Sequence, residues 1–158
     1  MSRFIASVGF VGLIPLAPGT FGSLAALPLA WLLHGLGGFP LLAGATLAVF
    51  LLGLWAVGAL PEGEHDPSWV VIDEVAGQWI ALFPLSFGLW HAGVHGWTFP
   101  WPGWVGAFIM FRLFDIWKPW LVGRADAMGG PMGVMLDDVV AGVFAALVVT
   151  LAAAIAHG

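Results

Sequence analysis

Apolar residues along this chain fall into long blocks separated by short polar or glycine-rich hinges. The first block, Arg3 to Leu16, holds one charge and then meets Pro15, Pro18 and Gly19. Its basic start and apolar core have the outline of a signal peptide. Pro18 directly after Ala17 is a poor residue to follow a cleavage point, so a retained interfacial or re-entrant segment is expected instead. A second block runs from Thr20 to Leu33 and stops at the hinge His34 to Gly38. The third, Phe39 to Leu60, is long enough to cross a hydrocarbon core, which takes about 20 residues. The hinge Pro61 to Ser68 carries Glu62, Glu64, His65 and Asp66. Trp69 to Trp90 forms the next span, interrupted early by Asp73 and Glu74. After a loop from His91 to Gly103 comes the short block Trp104 to Trp117, with Arg112 and Asp115. Lys118-Pro119 ends it, because the residue before a proline is pushed out of the helical region. Beyond the hinge Gly123 to Pro131, a last block runs from Met132 to Ala156, with Asp137 and Asp138 near its start. No repeat or linker divides the chain. The expectation is one all-α domain over residues 1–158: a polytopic integral membrane helical bundle of about five helical blocks, some short or re-entrant.

Composition supports lipid as the solvent. Hydrophobic residues make up 61% of the chain and charged residues 8%, against roughly 25% charged in a soluble domain. Mean hydropathy is +1.01. The 23 Gly and 10 Trp fit the same setting, since Gly lets membrane helices approach closely and Trp settles at the lipid–water boundary. With no Cys there is no disulfide, thiolate metal site or cysteine nucleophile. A net charge of -5 lacks the basic face that nucleic acid requires.

If successive blocks alternate in direction, every charge falls on one side. Arg3, Arg112, Lys118 and Arg124 lie there, together with all nine acids, while the opposite turns contain no Asp, Glu, Lys or Arg. The positive-inside rule makes that side cytoplasmic. Loop solvation accounts for Glu62, Glu64 and Asp126. It does not account for Asp73, Glu74, Arg112, Asp115, Asp137 and Asp138, which sit inside apolar runs. An ionised carboxylate at a helix centre costs about 2.5–3.5 kcal/mol on insertion scales, so such groups are functional candidates. Arg112 and Asp115 share a helix face at i,i+3 and can also pair with each other. Asp137 and Asp138 point about 100° apart, so one can face a site while its neighbour stands behind.

Crowded carboxylates must take up protons or a cation. Oxygen ligands without Cys favour a hard ion such as Mg²⁺, which pairs readily with phosphate. Helix starts add partial positive charge suited to anions. Gly19-Thr20-Phe21-Gly22-Ser23 marks one such start, and Thr20 or Ser23 there is either a plain cap or part of a phosphate cradle. No Asp-x-Asp pair supplies an aspartyl nucleophile with its acid partner. His34, His91, His95 and His157 fall on the far side; His65 alone lies beside the acids, as a metal ligand, a proton carrier or a loop residue. Metal-assisted attack on a phosphate, by water or a carboxylate, remains.

Several segments, in this order, resemble the phosphatidylglycerophosphatase A family. They are Leu13-Ile14-Pro15-x-Ala17-Pro18-Gly19-Thr20-Phe21-Gly22-Ser23, Asp73-Glu74, Phe111-Arg112-x-Phe114-Asp115-x-x-Lys118-Pro119, and Gly129-Gly130-x-Met132-Gly133-Val134-Met135-x-Asp137-Asp138-x-x-Ala141-Gly142. The resemblance implies a Mg²⁺-dependent lipid phosphatase of the bacterial inner membrane. Its substrate would be phosphatidylglycerophosphate and its products phosphatidylglycerol and inorganic phosphate. On that reading Mg²⁺ lies among Glu74, Asp115 and Asp137, with Asp73 and Asp138 beside it. Asp73, Asp115, Lys118 and Asp138 are then the catalytic candidates. Lys118 and Arg112 hold phosphate oxygens, Thr20 and Ser23 line the phosphate site, and Arg124 binds the substrate's other phosphate or anchors to lipid headgroups. An ion or proton transporter with intramembrane carboxylates is the competing expectation, and a non-catalytic scaffold with buried ion pairs is a third.

Overall fold

The structure, a computed structural model, describes residues 1–61, 68–98 and 100–157, and every regular element among them is helical. In chain order these are α1 (Ser2–Ala6), a 3-10 turn (Val11–Leu13), α2 (Pro18–Gly58), α3 (Ile72–Ala81), α4 (Phe83–His91), α5 (Trp101–Trp117), α6 (Leu121–Asp126) and α7 (Gly130–His157). The all-helical expectation holds. The elements do not by themselves establish the expected division into about five blocks; among the described residues two helices, α2 and α7, are long and apolar enough to cross a membrane.

The expected hinge at His34 to Gly38 is itself helical up to Gly38, so the second and third blocks join into one 41-residue element. Gly38 alone leaves helical geometry, at φ 64° and ψ -158°, a region closed to residues with a Cβ. The chain folds back there. A Cβ on Gly22 would lie 2.8 Å from Val71, and one on Gly53 would lie 3.4 Å from Ile72. On a straight helix Gly22 and Gly53 would be on the order of 46 Å apart, yet both reach the start of α3. So α2 is a helical hairpin with two arms.

The expected span Trp69 to Trp90 is broken at Leu82 into α3 and α4, with a proline in the first turn of α4. Pro84 has no N–H for an uninterrupted ladder and crowds the preceding turn. Helix α5 begins at Trp101, earlier than expected, because Pro102 sits in its first turn, where a missing N–H costs nothing. The segment Arg3 to Leu16 does not span. Ala6 is fully buried and its carbonyl accepts the Val71 N–H at 2.9 Å, while Gly12 packs on the Trp69 carbonyl. This segment is therefore built onto the start of α3.

Helix α3 lies at the centre, packed on both arms of α2 and on α7. The Trp79 indole N–H donates to the Ala26 carbonyl at 2.8 Å, tying α3 to the first arm. Against α7 the backbones touch: a Cβ on Gly77 would stand 2.5 Å from the Asp138 carbonyl oxygen, and one on Gly142 would meet the Gly77 carbonyl. Small residues at such crossings let membrane helices pack by dispersion contact. One end of the bundle collects aromatic rings, Trp31 on Trp97 and Phe39 among Phe83, Phe87 and Trp90, with a buried His34–Ser86 hydrogen bond of 2.7 Å. The other end holds the charges.

Candidate active site

At the charged end a cavity of about 340 Å³ opens between four elements. Ala17, Pro18 and Gly19 at the start of α2 form one wall, and Ser68, Val70, Asp73 and Glu74 a second. Arg112, Asp115, Ile116 and Lys118 come from the end of α5, and Asp137 and Asp138 from α7. The close α3–α7 crossing sets the spacing of the acids. Gly77 follows Asp73 by four residues and Gly142 follows Asp138 by four, so each glycine lies one turn away on its acid's own helix face. Gly19 is equally constrained: a Cβ there would collide with the Glu74 carboxylate and lie 3.2 Å from an Arg112 amino nitrogen.

The charged groups divide into two kinds. Arg112 is ion-paired with Asp115 on α5. Lys118 reaches Asp126 at 2.5 Å and Asp137 at 2.6 Å. It does so from a left-handed backbone position (φ 49°, ψ 54°) at the end of α5, where Pro119 forbids further helix. Asp137 also accepts the Asp138 backbone N–H at 2.9 Å. Burial opposes the charge on Lys118, but the hydrogen bonds and charges of Asp126 and Asp137 outweigh it and hold its ammonium above the ordinary lysine value.

Asp73, Glu74 and Asp138 form the second kind. Each offers one oxygen, and the three oxygens lie within 4.8 Å of one another. Asp73 Oδ1, Glu74 Oε2 and Asp138 Oδ2 are buried without a hydrogen-bond partner. A buried acceptor left unmet costs several kcal/mol, roughly 1–3 and more when charged. Three carboxylates converging from two helices, each with an unmet oxygen, fit a hard divalent cation, whose ligands are oxygens and whose charge compensates theirs. Asp73 and Glu74 also occupy the first turn of α3, where the helix dipole favours negative charge.

The sequence expectations fare unevenly. Asp73, Glu74, Arg112, Asp115, Lys118, Asp137 and Asp138 do meet in one cavity. Of the expected metal set Glu74, Asp115 and Asp137, only Glu74 belongs to the converging trio; Asp115 is engaged by Arg112 and Asp137 by Lys118. Thr20 and Ser23 are not among the lining residues. Ser23 is fully buried, and its hydroxyl donates to the Gly19 carbonyl at 2.9 Å inside its own helix. Arg124 is exposed on α6, outside the cavity lining, and makes no side-chain ion pair among the described residues. Glu62, Glu64, His65 and Asp66 lie outside the described residues. Sequence reasoning missed the two crossing glycines, whose signal was their shared i+4 spacing from an acid.

Comparison with known proteins places the chain in a family. The family model described as phosphatidylglycerophosphatase A matches residues 4–153. Phosphatidylglycerophosphatase A of Escherichia coli strain K12 is 39% identical over 150 residues, covering 89% of this chain and 77% of that one. The enzyme of the same name from Haemophilus influenzae is 35% identical over 147 residues, covering 90% and 83%. A protein of Bacteroides thetaiotaomicron, provisionally named a phosphatidylinositol-3-phosphatase, is 38% identical over 149 residues, covering 89% and 86%. No solved structure matches the chain at a significant level. Over nearly its whole length the chain thus belongs to the phosphatidylglycerophosphatase A family of phosphoric monoester hydrolases.

Proposed function

We propose that the chain is a multi-pass enzyme of the bacterial inner membrane. It removes the terminal phosphate of phosphatidylglycerophosphate at a Mg²⁺-dependent site facing the cytoplasm, leaving phosphatidylglycerol and inorganic phosphate. The observation that carries this reading is the meeting, in one cavity of a very apolar bundle, of three orphaned carboxylate oxygens with Lys118 and Arg112. The topology has its own support. The two arms of α2, the α3–α4 pair, α5 and α7 supply alternating passes, and all four basic residues then fall on one side. Nothing in the fold or the relatives supports the ion or proton transporter, whose carboxylates belong near the midplane with access from both sides.

Asp73, Glu74 and Asp138 hold the divalent cation. When bound, it supplies Lewis-acid compensation of the phosphate charge. Lys118 and Arg112 take phosphate oxygens, each oriented by the carboxylate it already faces. A water, or one of the site's carboxylates, attacks phosphorus in line. With water, a carboxylate accepts the nucleophile's proton, and the lipid's glycerol oxygen leaves and is protonated. Arg124, charged and exposed beyond the cavity, meets the lipid's other phosphate at the membrane surface. The test is phosphate release from phosphatidylglycerophosphate by the purified chain, with Mg²⁺ and then with a chelator. Release that chelation abolishes is expected; no release, or release indifferent to chelation, overturns the reading. The Bacteroides relative favours one second substrate, phosphatidylinositol 3-phosphate, which the same assay compares directly.

A further inference from the structure

Beneath the acidic trio the central helix carries a polar side chain that the site has not yet used. Gln78 on α3 is fully buried, and both its carboxamide atoms, Oε1 and Nε2, lack a hydrogen-bond partner. A buried amide left unmet costs free energy on its donor side and on its acceptor side. Packing does not require it, since Met or Leu would fill a similar volume without that cost.

Its surroundings follow from its neighbours on the helix. Gln78 comes four residues after Glu74, about 6 Å deeper and roughly 40° around α3. The Glu74 carboxylate and an Arg112 amino nitrogen both border Gly19 at the start of α2. Trp79 turns to the first arm of α2, where it bonds the Ala26 carbonyl. Gln78 falls between those two directions, at the seam of α2 with α5. Helical side chains lean toward the N-terminus of their own helix. Helix α3 starts at the charged cavity and α5 ends there, so the Gln78 chain rises toward the cavity while the Arg112 stem leans down from it. Three unmet side chains thereby gather on one side of α3. Glu74 Oε2 is an acceptor and Arg112 Nε a donor, and Gln78 offers one group of each kind.

We propose that Gln78 is a positioning residue of the active site: its Nε2–H donates to the Glu74 carboxylate and its Oε1 accepts the Arg112 Nε–H. It thus braces the carboxylate that holds the cation against the guanidinium that holds phosphate. The inference rests on the lipid-phosphatase reading and adds a residue that reading leaves out. A carboxamide makes both bonds at once without adding charge to a site already crowded with acids. Carboxylates that ligate a metal are themselves hydrogen-bonded, and losing such a partner costs about 10–100-fold in metal affinity or activity. Bonds of this kind are often long before ligands arrive and tighten with them. The three groups accordingly stand unpaired in the free protein and pair when the site is loaded.

The test is thermal melting of the full chain in detergent across a Mg²⁺ titration, parent against Gln78→Met. The Met side chain strands no polar atom, so without Mg²⁺ the variant should melt at the parental temperature or above it. Its Mg²⁺ midpoint, read from the rise in melting temperature, should move up about 10–100-fold. In phosphate release, a loss of kcat/KM should persist at saturating Mg²⁺, because Arg112 has lost its brace. A parental midpoint overturns the proposal whatever the activity. Lower melting without Mg²⁺ at a parental midpoint marks a merely structural amide and also overturns it. Gln78→Leu carries the same measurement if the Met variant does not assemble. Parental melting that ignores Mg²⁺ removes the cation and the proposal with it. Chelator-sensitive phosphate release with an unshifted midpoint would sink the role of Gln78 alone. A shifted midpoint in a chain that releases no phosphate would sink the phosphatase reading and leave the bracing of Glu74 standing.

Discussion

The contact of α3 with α7 at Gly77 is a sharp place to test how the acids are held. Replacing Gly77 with Ala adds one methyl group to a helix, a change that on an exposed face stabilises by up to about 1 kcal/mol. Here the new Cβ would lie 2.5 Å from the Asp138 carbonyl oxygen and 2.5 Å from a Phe111 ring carbon. Ordinary contact begins near 3.4 Å, so the helices must separate by about 0.9 Å or tilt. Overpacking of this kind costs about 1–3 kcal/mol. Neither the carbonyl nor the ring, wedged between helices, can swing away as a surface lysine would. Since Asp73 and Glu74 ride on α3 and Asp138 on α7, the separation is transmitted to the trio. A 1 Å misplacement at a reacting centre can cost about 10²-fold.

Gly77→Ala should therefore cut phosphate release by about two orders of magnitude while the chain still inserts and stays helical. Release would be followed on phosphatidylglycerophosphate in micelles, with far-ultraviolet circular dichroism and detergent melting alongside. Gly106→Ala on α5 is the control, because a Cβ there meets nothing within 4 Å, and it should be neutral or slightly stabilising. If Gly77→Ala turns over within about two-fold of the parent, backbone contact is not what spaces the acids, and the account of the site's assembly fails.

Three further outcomes are expected. Asp138→Asn and Glu74→Gln should each lower phosphate release at least about 10²-fold and weaken the response to added Mg²⁺; a magnesium titration with parental midpoint and rate would exclude that residue from the cation site. Ser23→Ala should keep parental kcat and KM, because its hydroxyl is turned to the Gly19 carbonyl, and a large loss would restore Ser23 to the phosphate site. The Lys118 ammonium is held above the ordinary value of 10.5. Its ion-pair contribution is thus complete below that pH and lost only as pH rises through the higher folded value. Any loss of stability that Lys118→Met abolishes should therefore appear above about pH 10, and such a loss centred near pH 8 in a melting series would refute the arrangement.

Much of the site was legible because charge inside an apolar run is costly and must collect where it can be compensated. The alternation of blocks alone put Asp73, Glu74, Arg112, Asp115, Lys118, Asp137 and Asp138 at one end, and the cavity contains them all. The end of α5 was legible too, from Pro119. What could not be read was the partition among the acids. Whether Asp115 serves Arg112 or a cation depends on rotamers at i,i+3, and whether Asp137 or Asp138 faces inward depends on how α7 is turned against α3. That rotation is set by Gly77 and Gly142, residues whose importance lies in the missing side chain. The turn in α2 was read in the right place but too long, for a similar reason. Three glycines in His34 to Gly38 look like a loop, yet only Gly38 leaves the helix, since a helical neighbourhood tolerates Gly at about 1 kcal/mol each when packing repays it.

The lengths of the two acid-bearing helices also explain why the site is recessed. Asp73 lies in the first turn of α3, whereas Asp138 is eight residues into α7, about 12 Å from its start at Gly130. Helix α7 therefore rises some two turns above the trio, and α6 packs beside that projection, where a Cβ on Gly133 would touch the Ala125 carbonyl at 3.2 Å. Together they form a collar on one side of the cavity. Lys118, about one-third exposed, sits at the mouth, and the orphaned carboxylate oxygens lie beneath it. On the proposed reading, a phosphate descending from headgroup level would meet the ammonium before it reaches the acids, so attraction would precede the repulsion that the clustered carboxyl groups would otherwise impose. On that reading, the ion pairs of Lys118 with Asp126 and Asp137 would be a resting arrangement that phosphate displaces, so that a cation neutralised in the free protein could still serve the substrate.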